Sequence, residues 1–122
     1  MLALPLPRGA LLCYEVWTHT KDYPRKTVLT VARAISHTQT DDYKATVFVD
    51  GLQKAECRWF AGRLRDLGIW TKKVRGVHTD EADALMRLAD ALCGFVRTAH
   101  AGKQSYVQLL DQAKEAGVAR EL

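Results

Sequence analysis

Four aspartates in this sequence could serve as metal-ion ligands by their type, and three of them also by their spacing. Asp50 directly follows the apolar run KATVFV, whereas Asp80, Asp83 and Asp90 lie in or against the apolar pattern of VHTDEADALMRLADALCGFVRTA, residues 77–99. On a helix, the three-residue spacing of Asp80 and Asp83 places both on one face, about 4.5 Å apart along the axis. Paired divalent ions about 4 Å apart, held by a few carboxylates, activate water for phosphodiester hydrolysis. Mg²⁺ prefers such sparse carboxylate sites, so Asp50, Asp80 and Asp83 are candidate ligands of Mg²⁺ or Mn²⁺.

The same acids also fit ordinary structural roles, and the sequence leaves both interpretations open. Asp80 lies in the first turn of a helix that Thr79 could cap, where the helix dipole favours acidic residues. Asp83, Arg87 and Asp90 follow one another at the i, i+4 and i, i+3 spacings of a surface charge ladder. Asp50 comes directly before Gly51, an order that is typical of a turn.

Asp90 differs from the other three in its distance along the helix. It is seven residues beyond Asp83, on the same face but roughly 10 Å further along the axis. Because an unpaired buried carboxylate is costly, we predict that Asp90 is buried at mid-helix and paired with Arg87, a lysine or backbone donors.

A basic surface surrounds the second strand–helix–strand unit. Its residues could follow the phosphates of a nucleic acid, or they could form an ordinary solvated face. For Trp59 and Trp70, we favour core packing over stacking on bases. The candidate nucleic-acid contacts are Arg58, Lys72, Lys73 and Arg75, with Arg63 and Arg65 beside them.

The elements that must position these residues follow from hydrophobic periodicity. Strand-like runs alternate with helical patterns of a length suited to right-handed crossovers. The expected fold is therefore α/β, with a short, largely parallel sheet flanked by helices. Ligands gather where strands of such sheets end, so Asp50 and the Asp80–Asp83 turn should share one edge. The predicted strands are Ala10–Trp17, Lys44–Val49 and Ile69–Val77, and the predicted helices begin near Pro24, Cys57, Thr79 and Gln104.

Length and composition limit the class of protein. With 122 residues, 48% of them hydrophobic, the chain suits one domain, residues 1–122, with one core. Its formal net charge of +4 permits a polyanionic partner without requiring one. Three scattered cysteines without a CxxC pair favour a reducing cytoplasm. The proline-interrupted start fits neither a signal segment nor a spanning helix, so we expect no membrane association.

Three segments carry a family resemblance, namely KATVFVDGL, LRDLGIWTKKVRGV and EADALMRLADALCGFVR. From about Lys44 to its end, the chain resembles the C-terminal part of the family called domain of unknown function thirty-eight hundred, a branch of the RNase H-like superfamily. DEADAL is also similar to the last-helix motif of RNase H-like Holliday-junction resolvases. The resemblance implies that Asp50 is the strand acid of a metal site, that Asp80 and Asp83 are the helix acids, and that Asp90 matches the family's Ala-Asp pair as a further metal candidate.

The chain departs from that family at its N-terminal side. The family's Asp-Glu-Ser-Gly type of sequence is missing, the first helix carries no acid, and Glu15 is the one upstream substitute. We therefore expect a partial RNase H-like fold that lacks the first strands. The expected function is a Mg²⁺-dependent nuclease with Asp50 and Asp83 as catalytic residues, or a shortened, inactive member. The alternative is a non-catalytic module that binds nucleic acid or protein.

The missing strands also predict self-association. In RNase H-like sheets the first strand lies beside the strand that here ends at Asp50, so its loss leaves an exposed edge, and exposed edges recruit partners. We expect the chain to pair through this edge or through the first-helix face, Val28 to Ile35, unless the Ala10–Trp17 strand covers the edge.

Overall fold

The structure is a computed structural model that describes residue 6 and residues 8–17, 21–38, 42–77 and 84–122. Helices and strands alternate along most of the chain, as the periodicity predicts. No helix in these ranges has the length and apolarity needed to cross a membrane. The elements are β1 (Leu12–Tyr14), α1 (Tyr23–Thr38), β2 (Ala45–Asp50), α2 (Lys54–Asp66), β3 (Thr71–Val77), α3 (Ala84–His100), α4 (Gln104–Glu115) and β4 (Ala119–Glu121).

The chain divides into two compact units by its internal contacts. The first comprises residues 1–18 and 88–122, and the second comprises residues 19–87, so the division falls inside α3 between Arg87 and Leu88. The prediction of one domain over residues 1–122 stays a prediction.

The second unit is built on a parallel pair of strands, β2 and β3. Val47 pairs with Val74 and Phe48 with Arg75, with one irregularity between Ala45 and Thr46. Both α1 and α2 contribute to the hydrophobic cluster that covers one face of this pair. The buried members of the cluster are Val28, Ala32, Val47, Leu52, Phe60, Leu64 and Ile69.

Helix α2 shows how the local sequence sets these elements. Gln53 and Glu56 form a capping box at its start, where the Gln53 N–H donates to the Glu56 carboxylate at 3.0 Å. Phe60 and Leu64, four residues apart, are both 0% exposed. Gly68 stops the helix with a φ of +80°, the left-handed conformation that glycine adopts readily. The chain is thereby turned from α2 directly into β3.

The first unit contains a second parallel pair, β1 with β4, and the helices α3 and α4. Leu12 pairs with Ala119 and Tyr14 with Glu121. The phenyl ring of Phe95 stacks on that of Tyr106 at 5.2 Å, which joins the two helices. The buried members of this cluster are Tyr14, Val96, Ala99, Leu110, Ala113 and Ala119.

The α/β class and the parallel pairing are confirmed, but the pairing partners differ from the expectation. The described strands form two separate two-stranded sheets. β1, the candidate that the sequence offers to cover the strand ending at Asp50, pairs with β4 instead. The periodicity did not predict β4, because Ala-Arg-Glu is too short to show alternation.

Candidate functional site

Asp50 lies where the sequence predicts it, at the carboxyl end of β2. It is exposed, and the parallel register places it opposite Val77, the last residue of β3. The chain thus leaves β3 beside Asp50. Asp80 and Asp83 lie outside the described residues, and within the described part no group of three or more His, Cys, Asp or Glu side chains is placed to hold a metal ion. The metal site stays a prediction.

The turn after Asp50 is held tightly against the end of β3. Gly51 adopts a φ of +73°, and its N–H donates to the Val77 carbonyl at 2.8 Å. Leu52 then crosses Gly76 so closely that a Cβ on Gly76 would lie 1.7 Å from the Leu52 carbonyl oxygen. The position of Asp50 therefore depends on Gly51 and Gly76, which shape the turn but have no side chain that could contribute to binding or catalysis.

Asp90 is exposed, so the prediction that it is buried and paired at mid-helix is wrong. Leu92, Val96 and Ala99 define the buried side of the part of α3 that follows Asp90. At 100° per residue, Asp90 lies roughly 150° around the axis from their mean direction. The apolar residues that flank Asp90 in sequence suggested burial, but its helical phase points it to solvent.

The four predicted nucleic-acid contacts are all exposed, but they do not share one surface. Lys73 and Arg75 lie on β3, opposite Thr46 and Phe48 in the register. Lys72 is the extra residue at the irregularity of the pair. Arg58 lies on α2, the helix that packs against the other face of this sheet.

Phe48 marks a sheet face that the two-helix cluster does not cover. Val47 and Val49 contact the cluster, so strand alternation directs Phe48 to the opposite face. Its side chain is 38% exposed there. Parallel sheets are normally covered on both faces, which makes an exposed phenylalanine at this position unusual. The alternation in KATVFV could have revealed Phe48 from sequence, yet the site prediction missed it.

Trp70 and Lys44 extend the same face at its beginning. Trp70 is 56% exposed, and Trp59 on α2 is 42% exposed, so the prediction that both pack in the core is wrong. The Lys44 Nζ lies 5.8 Å from the centre of the Trp70 ring, within the range of a cation–π contact. The partly buried Ala45 and the buried Thr71 follow these residues directly, so alternation assigns Lys44 and Trp70 to the outer side. We call this surface the open face: Lys44, Thr46, Phe48, Trp70, Lys73 and Arg75.

A separate cavity of about 160 Å³ lies in the first unit between β1, β4, α3 and α4. The Lys114 Nζ lies 3.5 Å from the Glu121 carboxylate and 5.6 Å from the centre of the Tyr14 ring. The nearby Tyr14 hydroxyl, and to a lesser extent Glu121, raise the pKa of Lys114. Lys114 and the Tyr14 hydroxyl do not form a hydrogen bond, so this buried hydroxyl has no hydrogen-bond partner among the described residues.

No protein-family model, no curated protein and no solved structure matches this chain. The resemblance to the RNase H-like family therefore stays a prediction. The function has to be argued from the residues that the structure places together.

Proposed function

We propose that the open face binds single-stranded nucleic acid. One observation carries the proposal: Phe48 is exposed on a sheet face whose neighbouring strand presents Arg75 and Lys73. An exposed aromatic ring offers a stacking surface to any base, and cations beside it can neutralise the phosphates on either side. The face therefore combines the two interactions that single strands require.

Trp70 and Lys44 give the face a second stacking position. The exposed indole is large enough to cover a base, and the ammonium group beside it adds a phosphate contact. Because stacking accepts every base, we expect little sequence preference. A duplex buries its bases against one another, so it should bind more weakly than a single strand of equal length.

The first experiment measures fluorescence anisotropy of labelled single-stranded and duplex oligonucleotides over a series of salt concentrations. We expect Lys73→Gln with Arg75→Gln to weaken single-strand binding by about tenfold and to reduce the salt slope by about 1.4, which corresponds to two lost phosphate contacts. Arg25→Gln with Lys26→Gln, which makes the same charge change on exposed residues of α1, is the matched control and should have little effect.

The second experiment separates stacking from charge. Trp70→Ala should weaken binding by about 1–3 kcal/mol, whereas Trp59→Ala, which removes an exposed indole from α2, should not. Equal effects of the two tryptophan variants would contradict the proposal. Absence of binding at low salt would also contradict it and would favour the protein-binding alternative.

A second candidate function is hydrolysis of nucleic acid by a divalent metal site in a partial RNase H-like fold. It is supported by the parallel register that places Asp50 beside Val77, from which the chain continues towards Asp80 and Asp83. Those two acids would join Asp50 as ligands of Mg²⁺ or Mn²⁺, with Asp90 as the further ligand that the family resemblance implies. The exposure of Asp90 on α3 gives no support to that fourth role.

The metal candidate is tested with the ion alone before any substrate is added. Calorimetric titration of Mg²⁺ and Mn²⁺ should show binding that Asp50→Asn with Asp83→Asn abolishes, and cleavage of DNA or RNA should then require the same two residues. If the two proteins titrate identically, the metal site is excluded. Oligonucleotide binding that survives both substitutions would support a non-catalytic module.

A further inference from the structure

The outer edge of β2 has hydrogen-bonding groups without a partner strand among the described residues. The Ala45 N–H donates to the Trp70 carbonyl at 2.9 Å, and the Gly51 N–H donates to the Val77 carbonyl at 2.8 Å. Odd-numbered residues of β2 thus direct their backbone groups towards β3. Because these directions alternate along a strand, Thr46, Phe48 and Asp50 present their N–H and C=O groups at the other edge.

This edge carries few of the features that normally prevent strands from pairing. Exposed edges are usually guarded by lysines, prolines or bulges. β2 reads Ala-Thr-Val-Phe-Val before Asp50, a run rich in strand formers without a charge or a proline. The other strand of the pair carries Lys72, Lys73 and Arg75 and the irregularity in the register. β3 is therefore strongly protected against pairing, whereas the one charge in β2 is Asp50 at its end.

The sequence of β2 is complementary to itself in the antiparallel direction. With a two-fold axis at Phe48, each Phe48 lies opposite Phe48 of the second copy, and each Thr46 lies opposite Asp50. Aromatic cross-strand pairs are favourable, and no like charges lie directly opposite. The two Asp50 carboxylates would be about 13 Å apart along the strands, and the two basic β3 strands would be separated by about 14 Å across the sheet. Both separations exceed the Debye length of about 8 Å at physiological salt.

We infer that a second copy of this chain pairs with the outer edge of β2, antiparallel and centred on Phe48. The product is a four-stranded sheet in the order β3, β2, β2, β3 with two-fold symmetry. The two open faces then form one continuous surface with both phenylalanines at its centre. The inference rests on the strand edge and is independent of whether that surface binds nucleic acid.

Analytical ultracentrifugation across the micromolar range tests the pairing. We expect the unaltered chain to be a dimer. Thr46→Pro removes an outward N–H and no bond to β3, and proline is tolerated on edge strands, so this variant should raise the dimer dissociation constant at least about tenfold. The matched control Thr46→Val keeps the N–H and should dimerise as the unaltered chain does. A monomeric unaltered chain would overturn the inference.

Disulfide trapping tests the register without relying on proline. In a background carrying Cys13→Ser, Cys57→Ser and Cys93→Ser, Phe48→Cys should form a covalent dimer on oxidation, because opposed residues of antiparallel strands lie about 5.5 Å apart at Cα. Thr46→Cys should not, since its two copies would be about 13 Å apart. Equal cross-linking of the two variants would contradict the register. Oligonucleotide binding measured on the unaltered chain below and above the dimer dissociation constant then shows separately whether the open face functions without the dimer.

Discussion

Gly76 is the residue on which the geometry near Asp50 depends most directly. Any side chain there meets the Leu52 carbonyl, a backbone group that cannot rotate aside. We predict that Gly76→Ala lowers the free energy of unfolding by about 1–3 kcal/mol or more, as overpacking does. Urea unfolding followed by circular dichroism measures the change.

Gly62 provides the matched control in the same unit. It lies within α2, and a Cβ there would meet nothing within 4 Å. Gly62→Ala should therefore stabilise the chain by up to about 1 kcal/mol, since alanine favours a helix interior. Stabilisation by both substitutions would show that Leu52 does not cross Gly76 as described.

Cys13 and Cys93 are expected to differ in reactivity because one thiol is partly buried in β1 and the other is exposed on α3. Burial raises the pKa of Cys13, and the positive charge of Arg120 offsets only part of that effect. A raised pKa means less thiolate at neutral pH, and the thiolate is the nucleophile. We predict that a thiol reagent labels Cys93 before Cys13 in the folded chain and that the difference disappears in urea. Mass mapping of partially labelled protein measures the order, and faster labelling of Cys13 would contradict it.

At the scale of elements, hydrophobic periodicity predicts that α3 is a helix but does not predict which of its residues are exposed. The apolar spacing correctly predicts a helix. Because Asp90 has apolar neighbours in the sequence, however, the pattern wrongly suggests that Asp90 is buried. We predict that Asp90→Ala leaves stability unchanged or slightly raised, because alanine has the higher helix propensity. The matched substitution Leu92→Ala, at a position that is 9% exposed, should cost about 2–5 kcal/mol. Thermal unfolding compares the two, and a similar loss for Asp90→Ala would restore a structural role to that carboxylate.

The strands show why the fold and the site could be predicted only in part. Local patterns place β2 and β3 and the position of Asp50, because alternation and turn residues act within a few positions. Pairing between β1 and β4 joins residues more than a hundred positions apart and leaves no local pattern. Local pattern also explains the wrong prediction that Trp70 is buried. Its neighbours Ile69 and Thr71 are buried, and only the strand's orientation shows that Trp70 lies on the other side.

At the scale of the whole molecule, the two hydrophobic clusters share no residue. Each unit is small for a domain that must stand alone, because cores of chains below about 70–80 residues rarely supply more than 3–5 kcal/mol. The division inside α3 adds a second constraint, since unfolding of one unit alone would have to interrupt a continuous helix. We therefore predict that the chain unfolds in one cooperative transition.

Two matched valine substitutions test this cooperativity. Val28 on α1 is 1% exposed, and Val96 on α3 is 7% exposed, one in each cluster. Val28→Ala and Val96→Ala should each lower the free energy of unfolding by about 1–3 kcal/mol, and without shared partners the two losses should add to within about 0.5 kcal/mol.

In a single transition, far-ultraviolet circular dichroism and tryptophan fluorescence report the same midpoint in every variant. Tryptophans 59 and 70 lie in the second unit and Trp17 lies in the first, so fluorescence is measured in a Trp17→Phe background, where it reports on the second unit alone. If Val96→Ala shifted the circular dichroism transition and left the fluorescence transition in place, the units would unfold independently and the prediction of one domain would be wrong.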